Sequence, residues 1–153
     1  MFAITERLLL RPGWPDDARE LAAAIADERI ARNLARMPWP YSEDDAHSFL
    51  SGMFSGAPVE FLITLRTSGA IIGGIGIQET PDGHESHELG YWIAQRHWGK
   101  GIATEAGRAV MNIGRHVLRL DRIGSAWFSD NPASGKVLQK LGARDRVQAV
   151  VYA

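Results

Sequence analysis

Apolar positions along the chain recur with two periods, and the changes from one to the other mark the predicted elements. Residues 5–11 (TERLLLR) read as a short strand that Pro12, Gly13 and Pro15 interrupt. Ala18, Leu21, Ala22 and Ile25 then fall at i, i+3, i+4 and i+7, and Asp17 with Glu20 three positions on makes a capping-box pattern. A first helix is predicted there, continuing irregularly to Arg36. Pro38 and Pro40 exclude regular helix, whereas Ser42 with Asp45 caps a second helix whose stripe is Ala46, Phe49, Leu50 and Met53.

Strands dominate the middle. Phe61, Ile63 and Leu65 alternate, Thr67, Ser68 and Gly69 supply turn chemistry, and AIIGGIGIQ follows as the second arm of a hairpin. Pro81, Asp82 and Gly83 mark another turn before residues 87–94 (HELGYWIA), an aromatic-rich central strand. Beyond the loop QRHWGKG, the residues Ile102, Ala106, Ala109, Val110, Ile113 and Val117 recur at helical spacing, the longest such run in the chain. Residues 122–128 form a further strand, Asn131-Pro132 starts a helix through Val137, Leu138 and Leu141, Gly142 stops it, and residues 147–152 form a last strand. This order predicts an α/β (α+β) fold, a mixed sheet with helices on its faces.

Composition narrows the reading. The 153 residues fit one domain, 1–153, and 45% apolar residues with no repeat or low-complexity segment predict a real core. A net charge of -1 gives no general attraction to nucleic acid, and the absence of Cys excludes disulfides and a thiol nucleophile. No signal peptide or long apolar run is present, so the protein is expected to be cytoplasmic, with no membrane partner. His84, His87 and His97 suggest metal, but HESH is one residue short of the His-Glu-x-x-His spacing, so solvated loop histidines and no metal are expected.

The loop between the central strand and the long helix holds the most chemistry. At a helix start the first N–H groups lack intrahelical partners and the dipole is positive, so a phosphate there gains several hydrogen bonds. Gly99 and Gly101 allow close approach, and Arg96 and Lys100 add charge. The same glycines also fit a plain tight turn. Two other phosphate motifs fail. Walker A needs Ser or Thr after Gly99-Lys100, where Gly101 stands. A dinucleotide fold would place Gly99-x-Gly101-x-x-Thr104 after its first strand, yet at least four strand candidates precede it here.

With these residues in view, the sequence resembles the GNAT acetyltransferase superfamily, specifically its RimJ/RimL-like branch. The family's Gln/Arg-x-x-Gly-x-Gly/Ala motif corresponds to Arg96, Gly99 and Gly101 within ELGYWIAQRHWGKGIATEA, while TERLLLRP and NPASGKVLQKLG resemble the branch's two other blocks in the expected order, covering about 5–142. The resemblance implies a mostly antiparallel sheet with helices on both faces and a V-shaped splay between the strands at 88–94 and 122–128, the fourth and fifth by this reading. The pantetheine arm of acetyl-CoA, the cosubstrate, would lie in that gap against main-chain groups of Tyr91, Trp92 and Ile93, with its pyrophosphate on Arg96, His97, Trp98, Gly99, Lys100, Gly101, Ile102 and Ala103.

Acetyl transfer to an amine needs a neutral amine, a stabilised oxyanion and a proton for the thiolate. Glu88 at the start of the central strand is the candidate base, or equally a solvated carboxylate at a strand end. In the RimL-like pattern the Ser matching Ser134 approaches the thioester sulfur, making Ser134 the proton donor and Asn131 a cofactor-positioning residue. By themselves these residues also read as a first-turn serine and a helix cap. Of the aromatics Trp14, Trp39, Tyr41, Trp92 and Trp98, most are expected in packing. The branch's acceptor loop falls at MPWPY, which makes Trp39 and Tyr41 the substrate contacts.

Family members usually continue past residue 153 with one more strand, so by the resemblance the last strand is missing, and either the sequence is truncated or an edge is left open that suits a homodimer; Ala143 replaces a usual aromatic. Two functions are weighed: an N-acetyltransferase acting on a protein N-terminal α-amine or a small-molecule amine, and a catalytically weak acetyl-CoA sensor or interaction module.

Overall fold

The computed structural model describes residues 1–27, 29–30, 38–53, 57–79, 87–126, 141 and 147–148. Seven strands, β1 (Ala3–Ile4), β2 (Leu8–Arg11), β3 (Val59–Leu65), β4 (Ile71–Glu79), β5 (His87–Ile93), β6 (Ile123–Ala126) and β7 (Val147–Gln148), form one sheet in sequence order. The first five pair antiparallel and the last two join in parallel. The predicted strand at 5–11 divides in two. Thr5 turns the chain, its N–H bonded to the Leu8 carbonyl at 2.9 Å, so Glu6 and Arg7 stand at the tip of a hairpin.

Helices α1 (Ala18–Ile25) and α2 (Glu43–Gly52) lie on one face, and α3 (Ile102–His116) on the other. The α2 capping box forms as predicted, with Ser42 Oγ accepting from the Asp45 N–H at 3.1 Å and Asp45 accepting from the Ser42 N–H at 2.8 Å. The pattern at Asp17 does not. Asp17 instead accepts two bonds from Arg11, at 2.8 and 2.9 Å, and one from the Trp14 N–H at 2.7 Å, while Glu20 accepts from the Ile71 N–H at 2.9 Å. Carboxylates that meet a guanidinium and a strand end gain more there than at a local cap.

Alternation along β3 divides the core. Val59, Phe61 and Ile63 join Leu8, Leu10, Ile75, Ile77, Leu89 and Ile93 beneath Ile102, Ala106 and Val110 of α3. Leu62 and Ile71 pack with Leu21, Ala46 and Leu50 of the other two helices. A sheet covered on both faces explains why β3 reads as a nearly continuous apolar run. Three expectations change. Val117 is exposed beyond the end of α3. His87 lies in β5, opposite Glu79 and Ile123, where the strand predicted at 87–94 begins, and is not the loop histidine of the metal reading. Trp14, Trp39 and Trp98 are about half exposed, and Trp92 is the tryptophan that packs against the core. Among the described residues, no helix is long and apolar enough to cross a membrane.

Candidate active site

The site forms where β5 ends. β5 and β6 run parallel, and their described register is confined to three pairs at their starts, His87↔Ile123, Glu88↔Gly124 and Leu89↔Ser125. β5 continues to Ile93 along β4. Parallel neighbours need a crossover, and the chain makes it through α3, whose first turn is thereby delivered to the end of β5.

The connection is a 3-10 turn, Gln95–His97, followed by the glycines. Gly99 and Gly101 both take left-handed angles, φ 73° and 75°, which cost a residue with a Cβ about 1–2 kcal/mol. Gly101 is the N-cap of α3, and no side-chain cap hydrogen bond closes that end. Among the described residues, a Cβ built on Gly99 would meet nothing within 4 Å. An uncapped helix start with open space beside it at Gly99 and the Arg7 guanidinium 3.7 Å from a Cβ built on Gly101 suits an anion such as a diphosphate. The surroundings are positive: burial, then the charges of Lys100 and Arg96, hold the His97 imidazole below its ordinary pKa.

Two braces fix this loop. The Trp98 indole N–H donates to the Ile93 carbonyl at 2.7 Å, folding the loop back on β5, and the Arg29 guanidinium lies 5.4 Å from the Trp98 ring centroid. Trp98 thus holds the turn, and one lone pair of the Ile93 carbonyl is taken by it. The second brace comes from the β1–β2 tip. Arg7 donates to the Lys100 carbonyl at 2.9 Å through its guanidinium and to Glu105 at 2.7 Å through Nε and 3.0 Å through its N–H, and Thr5 donates to the same carboxylate. Burial acts to raise the Glu105 pKa, but the bonds from Thr5 and Arg7 outweigh it and hold the group below the usual carboxylate range. Sequence reading missed Arg7 and Glu105, because nothing local ties residues 98 apart.

The remaining candidates are distributed around β5. Leu89, Tyr91 and Ile93 face α3, whereas Trp92 belongs to the face of α1 and α2, which by alternation Glu88 shares. Glu88 is half-buried between Gln78 and Gly124 rather than at an exposed end. Tyr41 is half-buried against the α1–α2 core; burial, then the charge of Asp45, pushes its phenol up to about 12, so it stays protonated. Trp39 is exposed. Arg96 lines a cleft of about 290 Å³ with Glu20, Asp27 and Gln95. Asn131 and Ser134 lie outside the described residues, as do His84 and the strand positions 127–128.

The acetyltransferase (GNAT) domain family matches residues 7–144. The uncharacterized N-acetyltransferase YoaA of Bacillus subtilis is 32% identical over 149 residues, covering 93% of this chain and 83% of that protein. Among solved structures, a GNAT-family acetyltransferase from Bacillus anthracis superposes with a TM-score of 0.83 at 24% identity, covering 95% of this chain and 85% of that one. RimJ of Mycobacterium smegmatis, solved in complex with CoA-disulfide, superposes at 0.73 with 26% identity, covering 86% and 68%.

Proposed function

The chain belongs to the acetyltransferase (GNAT) family and is an N-acetyltransferase; on that premise we propose that it moves the acetyl group of acetyl-CoA to a primary amine, a protein N-terminal α-amine or a small-molecule amine, by direct attack on the thioester. The observation that carries this reading is the glycine loop: two left-handed glycines, an uncapped helix start and unfilled space above Gly99. When bound, acetyl-CoA supplies the acetyl group as an activated thioester. The amides of Gly101, Ile102 and Ala103 hold its diphosphate, Arg96 and Lys100 add positive charge, and His97 and Trp98 shape the loop. Main-chain groups of Tyr91, Trp92 and Ile93 line the gap between β5 and β6 for the pantetheine arm.

On the other face of the sheet Glu88 takes a proton from the acceptor, directly or through water, and Trp39 and Tyr41 contact it. An α-amine, with an ordinary pKa near 7.7–8.0, needs little such help, whereas a lysine-like amine near 10.4 does. Ser134 donates the proton to the leaving thiolate and Asn131 positions the coenzyme, roles carried by the family pattern. The test is coenzyme affinity and thiol release across a panel of amines and peptides. Replacing Gly101 by Val is expected to weaken acetyl-CoA binding at least about tenfold, since left-handed strain and a blocked amide act together. Unchanged affinity would remove the loop from this reading, and coenzyme binding without turnover on any acceptor would favour a sensor.

A further inference from the structure

On the face of the sheet that carries α1 and α2, the register lines up residues in rows. Glu60 stands opposite Gly76, and Gly76 opposite Gly90. The next row toward the start of β5 holds Gln78, Glu88 and Gly124, and on the other side Leu62 and Gly74 adjoin Trp92. The Trp92 indole covers Gly74, where an added Cβ would lie 2.4 Å from its Nε1. Among the described residues no such cover lies over Gly90: a Cβ there would meet nothing within 4 Å. Gly76 and Gly90 thus leave a strip without side chains from β3 to β5, with Trp92 as one wall, Glu88 beside its β5 end and Glu60 at its far end; it is open at Gly90 and narrows at Gly76, where an added Cβ would lie 2.7 Å from the Val59 carbonyl oxygen and 3.7 Å from the Glu60 Cβ.

We propose that Glu60 is a specificity-determining residue of the acceptor groove, its carboxylate receiving a second positive charge on an acceptor whose attacking amine lies over Gly90. This rests on the acceptor side assigned above. Glu60 is half-buried, and among the described residues no hydrogen bond or ion pair engages its carboxylate. Burial lifts its pKa. A desolvated carboxylate in this state gains strongly from a cation supplied by a ligand. Two strand spacings of about 4.8 Å place the β3 and β5 backbones roughly 10 Å apart. Allowing for the reach of the Glu60 side chain, the two cationic groups of the acceptor stand a few covalent bonds apart. That chemistry occurs in a small diamine and in a peptide N-terminus followed by a basic side chain.

The experiment compares the full chain with E60Q and E60D, saturated with coenzyme A, for calorimetric binding of 1,5-diaminopentane against pentylamine. Thiol release from acetyl-CoA is then measured with the same amines and with peptides carrying Lys or Leu after the N-terminal residue. The wild type is expected to prefer the dicationic member of at least one pair by about tenfold, E60Q to lose that preference through KM rather than kcat, and E60D to regain part of it. The pair that shows the effect identifies whether diamine or peptide is the source. Retention of coenzyme affinity by E60Q reports an intact fold. Equal treatment of both members of every pair by the wild type, or a preference that survives in E60Q, overturns the proposal. Absence of thiol release with every acceptor overturns the transfer reading instead, while the binding comparison still decides the role of Glu60.

Discussion

A carboxylate lifted above its usual pKa by burial, as at Glu60, destabilises the folded state once it ionises. The cost is absent below the ordinary carboxylate value and grows as pH rises through the raised one. E60Q is accordingly expected to be more stable than the wild type at pH 7, with the difference shrinking as pH falls through the raised value and gone below about pH 4, read as urea midpoints across pH. Asp17 has the opposite sign. Its bond to Arg11 holds it below the usual range, so its stabilisation is present above the ordinary value and is lost as pH falls through the depressed one. D17N is expected to cost about 2 kcal/mol at pH 7 and progressively less in acid, the two bonds being charge-assisted and partly buried. Neither group shows its state in the sequence. Asp17 and Glu20 have the spacing of a cap, but their partners, Arg11 and the Ile71 N–H, are supplied by the fold. Glu60 reads as one polar position in a strand until the register sets Gly76 and Gly90 beside it.

Elements whose determinants are local were legible. The Ser42–Asp45 box forms, the stripe from Ile102 to Val110 is buried, and the glycine loop stands between strand and helix where its spacing put it. The extent of α3 was legible too, since it ends at His116 with Val117 as its C-cap, and only the exposure of Val117 departs from the stripe. The attachment of the helix to the β1–β2 tip was not legible. Glu105 in the first turn complements the helix dipole but opposes an anion bound at the same end, and Arg7 offsets that charge. R7M is expected to cost about 1 kcal/mol of stability, discounted because the Arg7 side chain is 44% exposed, and to weaken acetyl-CoA binding severalfold. Adding E105Q to R7M should restore part of that affinity, which isothermal titration would read. No recovery would place the effect elsewhere.

At the scale of the whole molecule, neighbouring residues of β3 belong to opposite layers: Leu62 faces α1 and α2, and Ile63 faces α3, both fully buried. We propose that residues 1–153 fold as one domain around this shared sheet. L62A and I63A should then each cost about 3 kcal/mol and shift a single unfolding transition, followed by circular dichroism and tryptophan fluorescence together. Two separable transitions would divide the layers. The pattern of strands and helices disclosed this architecture because a two-sided sheet writes its burial directly into the chain. Arg7 reaches Lys100 and Glu105 across 93 and 98 positions. On a ribosome adding about 5–20 residues per second, the hairpin that clamps the loop emerges roughly 5–20 s before the groups it clamps. The clamp on the loop therefore cannot close before Glu105 has been made, and under the proposed function coenzyme capture by a nascent chain would report that the two ends of this clamp have met.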